Sequence, residues 1–199
     1  MDITILALFV LTFSSILILP GPNSAFAVGQ SLKFGVASSL VVPLGFMSAT
    51  GLHAILVFSG IGVFVQEYTV ALSVFKWVGI IYLLWLACKS FISKPSKIEV
   101  SPKEIPKRRM YFSAMFVSLT NPKALLASLM VYPLFVTPYY SYLTQAAILS
   151  LTAMAISFTV YASYSLAASA LKGRLSGNKL ANKIVGSMYL GAAGALATK

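Results

Sequence analysis

The sequence predicts an all-α membrane protein with six transmembrane helices, arranged as two inverted repeats of three helices each. Its composition excludes a water-soluble domain, because 58% of the 199 residues are hydrophobic and only 10% are charged. An ordinary soluble domain has about 25% charged residues. So few charged side chains could not cover the surface of a soluble fold of this length. The mean hydropathy of +0.87 agrees with a surface that faces lipid.

The six helices are predicted from runs of apolar residues, because a membrane span needs about 20 of them. The runs cover about residues 3–28, 36–65, 70–92, 110–136, 143–171 and 180–198. They are too long, and alternate too little, for the strands of a membrane β-barrel. We expect one domain over residues 1–199, with a solvated linker at 94–107 that contains Pro95, Pro102 and Pro106.

The first run could be taken for a secretory signal peptide, since Ala25-Phe26-Ala27 resembles a cleavage site. A signal peptide begins with basic residues. This chain begins with Asp2 and has no Lys or Arg before Lys33. We therefore expect a first helix that is retained.

The basic residues predict the orientation of the chain in the membrane. Lys and Arg number 15 against 4 Asp and Glu, and most of them fall at Lys33, at 89–109 and at 172–183. These segments connect helices on the same side, and an excess of basic residues marks the cytoplasmic side. We expect the linker to be cytoplasmic and both termini to lie outside the cytoplasm. Membrane orientation accounts for the positive charge, and we expect no nucleic-acid partner.

Each half of the chain has three helices, which is an odd number. The second half therefore enters the membrane from the side opposite to the first. This is the arrangement of an inverted repeat, which is common in secondary transporters. In this sequence the repeat is inferred from the topology alone.

A first candidate site is Pro20-Gly21-Pro22-Asn23, late in the first run. Proline lacks a backbone donor and clashes with the preceding turn, so the two prolines break the helix. A break is tolerated in lipid only against protein or a water-filled cavity. Freed carbonyls and the Asn23 amide could then bind a polar substrate. The alternative is a simple helix end near the surface.

A second candidate site is Asn121-Pro122-Lys123, well inside the fourth run. A lysine at this depth needs a partner or water. A half-helix that begins at Pro122 would also direct its positive end into the membrane, which suits a carboxylate. The alternative is a kinked helix whose lysine reaches the interface. Because both breaks fall in the first helix of a half, together they predict a substrate-binding site.

His53 is the single histidine, and it lies within the second run. Its imidazole titrates near neutral pH and could relay a proton. Alternatively, it forms a structural hydrogen bond between helices. With one His and one Cys, we expect no metal site, no cofactor and no intrachain disulfide. No acidic residue lies in a predicted span, so we expect no catalytic site and no enzyme.

The chain resembles the LysE/RhtB family of amino-acid exporters over nearly its whole length. The resemblance is carried by these two motifs and, in order, by three further segments. The further segments are Ser59-Gly60-Ile61-Gly62, 75–86 (FKWVG to YLLWL) and Tyr132-Pro133-Leu134-Phe135, with Leu119-Thr120 and Ala124 flanking the second motif.

The resemblance implies export of amino acids or close derivatives across the bacterial cell membrane, in exchange for protons. It is closer to the homoserine/threonine branch, which implies neutral rather than dibasic substrates. The alternative is a small-ion exporter or channel of the same broad superfamily. The expected partners are an amino acid, protons and the lipid bilayer. Small residues at Ser187, Gly191 and Ala195 would let helices approach closely and would permit a homodimer.

Overall fold

The computed structural model describes most of the chain, with gaps in and around the predicted third span. The described residues are 1–35, 39–60, 77–78, 80–81, 84–85, 87–89, 91–92, 106–175 and 179–197, of which 172–175, 179–182, 185 and 195–196 are described by backbone alone. The end of the second predicted run (61–65), most of the third, and linker residues 94–105 lie outside this part.

Every regular element in the described part is an α-helix, which confirms the all-helical class. The helices are α1 (Ile3–Ile18), α2 (Pro22–Phe34), α3 (Val41–Phe58), α4 (Lys107–Leu119), α5 (Pro122–Leu134), α6 (Tyr142–Leu175) and α7 (Lys179–Ala197). The described residues between 77 and 92 are also helical.

In the described part of the chain, two helices are long and apolar enough to cross a membrane, or up to four spans if each bent pair of helices is one span. Helices α3 and α6 each qualify alone, and α1 with α2 and α4 with α5 qualify as pairs that are bent by 62° at a break. The first run therefore continues past residue 28 to Phe34, through a break. Helix α7 fills the sixth predicted run without meeting the same criterion. The count of six spans and the inverted repeat stay predictions.

Proline chemistry explains both breaks. Leu19 is extended because it precedes Pro20, and α2 then restarts with Pro22 in its first turn. The second break has the same form. Helix α5 begins with Pro122, and the Asn121 side chain accepts a hydrogen bond from the Lys123 N–H at 3.1 Å.

The two broken spans cross each other in opposite directions. The end of α1 contacts the start of α5 through Leu19 and Lys123, and the start of α2 contacts the end of α4 through Asn23 and Ser118. Each half-helix thus lies antiparallel to a half-helix of the other span. Helices α3 and α6 pack against them and against each other.

The helix ends form two chemically different ends of the bundle. The basic end contains Lys33 near the end of α2 and Lys107, Arg108 and Arg109 at the start of α4. The aromatic end lies where α3 ends and α6 begins, and there the Tyr142 hydroxyl donates to the Phe58 carbonyl at 2.7 Å.

Gln145 fixes the connection between α5 and α6. Its side chain is 1% exposed. Its Oε1 accepts from the Thr137 N–H at 2.9 Å, and its Nε2 donates to the carbonyls of Thr137 and Tyr140 at 2.8 and 2.9 Å. One buried amide thereby satisfies three backbone groups of this loop.

Gly45 sets the distance between α3 and α4. A Cβ atom at this position would lie 2.5 Å from the Tyr111 carbonyl oxygen and 2.9 Å from the Ala114 Cβ. Gly191 on α7 is the opposite case, because a Cβ there would meet nothing within 4 Å. The small residues of α7 therefore leave open space at Gly191, whereas Gly45 is needed for a close helix contact.

We expect Gly45→Ala to lower the free energy of unfolding by about 1–3 kcal/mol, the usual effect of overpacking a tight contact. Gly191→Ala is the matched control, and it should be neutral or stabilising because alanine favours the helix. The measurement is the midpoint of thermal unfolding in detergent. Equal midpoints for the two variants would contradict the close approach at Gly45.

Candidate functional site

The two helix breaks meet through their asparagine side chains. The Asn121 Nδ2 donates to the Asn23 Oδ1 at 3.0 Å, and the Asn23 Nδ2 donates to the Ser118 Oγ at 3.0 Å. All three side chains are buried. Together with the bond from the Lys123 N–H to the Asn121 Oδ1, these contacts form one continuous chain of hydrogen bonds across the breaks.

Lys123 joins the second break to the first. Its Nζ donates to the Leu19 carbonyl at 2.6 Å. A Cβ on Gly21 would be within 3.6 Å of the same Nζ, so the lysine lies beside the Pro20-Gly21-Pro22 turn. The neighbouring Ile18 carbonyl accepts from the Tyr164 hydroxyl of α6 at 2.5 Å. Side chains from distant helices therefore satisfy two carbonyls at the end of α1.

The breaks bring together helix ends of opposite polarity. Helices α1 and α4 end here with carbonyls, which carry partial negative charge, and α2 and α5 begin here with N–H groups, which carry partial positive charge. Helix geometry leaves the Asn23 and Ser24 N–H groups without a partner inside α2. The centre of the molecule thus offers both polarities to a ligand.

A small internal cavity adjoins the breaks. Its volume is about 10 Å³, room for about one water molecule. The lining residues are Phe13, Leu17, Asn23, Thr50, His53, Ser118, Ala124, Ser128 and Tyr161. No carboxylate is among them. In the described part of the chain, no three His, Cys, Asp or Glu side chains are placed to hold a metal ion.

His53 faces this cavity from α3. It is 4% exposed, and its Nε2 has no hydrogen-bond partner among the described residues. One helical turn away, the Thr50 hydroxyl donates to the Ser157 Oγ of α6 at 3.0 Å. The Thr50 hydroxyl of the cavity wall is therefore already paired, whereas the His53 Nε2 could bind a ligand or a water.

Aromatic clusters lie on both sides of these polar groups. Toward the basic end, the Phe46 ring contacts the rings of Tyr161 and Phe26 at centroid distances of 4.8 and 6.1 Å. Toward the aromatic end lies a second cluster, hereafter the aromatic-end cluster. It consists of Phe9, Phe13, Phe58, Tyr132 and Phe135, with centroid distances of 5.1 to 5.8 Å between neighbours.

The structure brings the residues predicted from the two motifs together. Asn23, Asn121 and Lys123 make the contacts between the breaks, and Gly21 lies against Lys123. Pro20, Pro22 and Pro122 form the breaks themselves. His53 and Asn23 line the cavity, whereas Asn121 and Lys123 do not.

Sequence reasoning missed six residues of the cavity wall, the apolar Phe13 and Leu17 and the polar Thr50, Ser118, Ser128 and Tyr161. Ser118 lies three residues before Asn121, and Thr50 lies three residues before His53. Residues three apart share a helix face. That spacing from a singled-out residue could have found both of them. Ser128 and Tyr161 have no comparable signal.

Sequence similarity to known proteins identifies the family of this chain. The sequence profile of the LysE type translocator family matches residues 14–199. A homoserine/homoserine lactone efflux protein of Salmonella typhimurium is 25% identical, and a leucine efflux protein of Klebsiella pneumoniae is 28% identical; each match covers 92% of this chain and 90% of the relative.

A protein of Vibrio cholerae described as an uncharacterized membrane protein is 27% identical over the whole chain and 98% of its own length. No solved structure matches. These relatives are bacterial, which agrees with a bacterial multi-pass membrane protein. The profile match covers far more than half of the sequence, so the chain belongs to the LysE family of translocators and is a transport protein, not an enzyme.

Proposed function

We propose that this protein exports neutral amino acids or close derivatives across the bacterial cytoplasmic membrane in exchange for protons. The observation that carries the proposal is the direct contact between the two helix breaks, through Asn23 with Asn121 and Lys123 with Leu19. Discontinuous helices that meet in this way form the substrate sites of many secondary transporters.

A zwitterion fits the polarity of this centre. The start of α2 and the Lys123 ammonium group suit a carboxylate, and the carbonyls at the end of α1 suit an ammonium group. The Leu19 carbonyl already binds an ammonium group, that of Lys123. A small inorganic ion would use only one of the two polarities.

A neutral substrate side chain fits the cavity wall. The wall has hydroxyl groups, an imidazole and apolar surface, and its described residues include no carboxylate that could pair with a second ammonium group. A buried cation without such a partner is costly. The relatives named for homoserine, homoserine lactone and leucine efflux support the same class of substrate.

The cavity is too small for any amino acid, so the structure corresponds to a closed state of the proposed cycle. Opening toward the basic end would load the site from the cytoplasm, and opening toward the aromatic end would release the substrate. The excess of basic residues at one end supports this orientation, with both termini outside the cytoplasm. The antiparallel crossing of the broken spans supports the inverted repeat.

His53 is the proposed proton carrier. Its Nε2 faces the cavity without a partner among the described residues, so its protonation can respond to whichever side the cavity opens to. A homodimer is also part of the proposal. Exposed small residues at Ser187 and Gly191 of α7 support it by offering a face for close helix contact.

We expect cells that express the protein and are fed with dipeptides to release homoserine, threonine or another neutral amino acid faster than cells with an empty vector. Lysine release should be unchanged, because no carboxylate lines the cavity. The measurement is the amino-acid content of the medium over time. Efflux that is unchanged for every amino acid would contradict the export function.

We expect Lys123→Gln to reduce export about 10- to 100-fold, the factor for one charge-assisted hydrogen bond. Glutamine still offers an N–H group to the Leu19 carbonyl but cannot attract a carboxylate. Lys107→Gln is the control, since it removes an exposed positive charge far from the breaks. Equal export by both variants, at equal membrane levels, would remove Lys123 from the site.

We expect His53→Gln to flatten the dependence of export on external pH, because glutamine keeps a polar side chain but cannot carry a proton. The measurement is the initial efflux rate at two external pH values. Asn121→Ala, which removes a contact without removing a titratable group, should lower the rate equally at both. A wild-type pH profile for His53→Gln would exclude His53 as the proton carrier.

A further inference from the structure

Tyr132 has a buried hydroxyl group that packing alone does not explain. The residue is fully buried on α5, and its hydroxyl has no hydrogen-bond partner among the described residues. Burying an unpartnered hydroxyl is unfavourable, and phenylalanine would fill the same space without that cost. Contacts with Phe9, Phe13 and Phe58 account for an aromatic ring at this position, but they do not account for its hydroxyl group.

Tyr132 lies next to the cavity, on its side toward the aromatic end. It follows Ser128 of the cavity wall by one helical turn, on the same face of α5. Phe13 belongs both to the cavity wall and to the aromatic-end cluster, with its ring 5.7 Å from that of Tyr132. Phe13 therefore connects the cavity wall directly to the ring of Tyr132.

From Tyr132, aromatic rings continue to the surface. The Phe58 ring lies 5.1 Å from Tyr132, and the exposed Tyr142 ring lies 6.0 Å from Phe58. The cluster takes its rings from α1, α3 and α5, and from Phe135 directly after α5. A movement of α1 and α5 relative to α3 would separate the rings and open the route.

We propose that Tyr132 gates the route from the cavity to the aromatic end, and that its hydroxyl hydrogen-bonds the amino acid that passes. The second half of this inference rests on the proposed function. In the closed state the hydroxyl has no partner among the described residues, and in the open state it pairs with the amino acid. It therefore favours opening during transport, because an interaction made in only one state shifts the balance toward that state.

The first test is Tyr132→Phe, measured for stability and for export. Thermal stability should be unchanged or higher, because only an unpaired hydroxyl is lost. The export rate should fall about fivefold or more, the factor for one hydrogen bond. Tyr139→Phe, at a residue that is 87% exposed, is the control and should change neither. Wild-type export by Tyr132→Phe, or a clear loss of its stability, would overturn the role of the hydroxyl.

The second test measures the gate without any substrate. The exposed Cys88 is replaced by serine, and Ser128→Cys places the one thiol in the cavity wall. A membrane-impermeant thiol reagent is then added on the side of the aromatic end, in membranes of known orientation. Tyr132→Ala in this background should raise the labelling rate about tenfold, whereas Tyr139→Ala should not. Equal rates would overturn the gate.

The two tests separate failure of the gate from failure of the proposed function. Labelling that depends on Tyr132 in a protein that exports no amino acid would support the gate and refute the export function. Export that continues without any effect of Tyr132 on the labelling rate or the export rate would support the export function and refute the gate.

Discussion

A helix that breaks inside hydrocarbon leaves backbone groups that no water can reach. In this protein the two breaks lie against each other, and side chains at one break bind polar groups at the other. Lys123 of the second break binds the Leu19 carbonyl of the first, and the two asparagines bond to each other. Tyr164 of α6 binds the Ile18 carbonyl beside them, so the end of α1 is satisfied by side chains of two other helices. The contacts that satisfy the backbone at the breaks also place polar side chains at the centre of the molecule. The fold and the site therefore have the same physical cause.

The arrangement around this centre follows from the same constraint. The polar groups around the breaks lie between two aromatic clusters, one toward the basic end and one toward the aromatic end. These apolar rings exclude water, and because different helices supply them, a movement of the helices could separate them. A polar layer between two separable apolar layers is the arrangement that alternating access requires, because one side can open while the other stays closed.

Much of this architecture could be predicted from the sequence, because its causes are local. Proline placed the breaks at residues 20–22 and 121–122, and apolar runs placed the helices. The predicted helix ends were less accurate. The first run was expected to end at residue 28, but α2 continues to Phe34 because Gln30 and Lys33 are polar yet favour a helix. Contacts that depend on how helices pack, such as Thr50 with Ser157 or the loop held by Gln145, have no local signal. Their partners lie 107 residues apart in the first case, and a polar pattern does not encode that pairing.

The bond between Lys123 and Leu19 has a consequence for the empty carrier. In the proposed cycle the cargo's ammonium group and the Lys123 ammonium group compete for the same carbonyl, so the lysine acts as a tethered substitute for the cargo. A vacant carrier can then close on its own side chain, without trapping a stray cation at the end of α1. Once cargo arrives, the displaced lysine is free to pair with its carboxylate. In the proposed exchange, the return step would then carry only the proton on His53, because the protein's own side chain occupies the site that a cation would take.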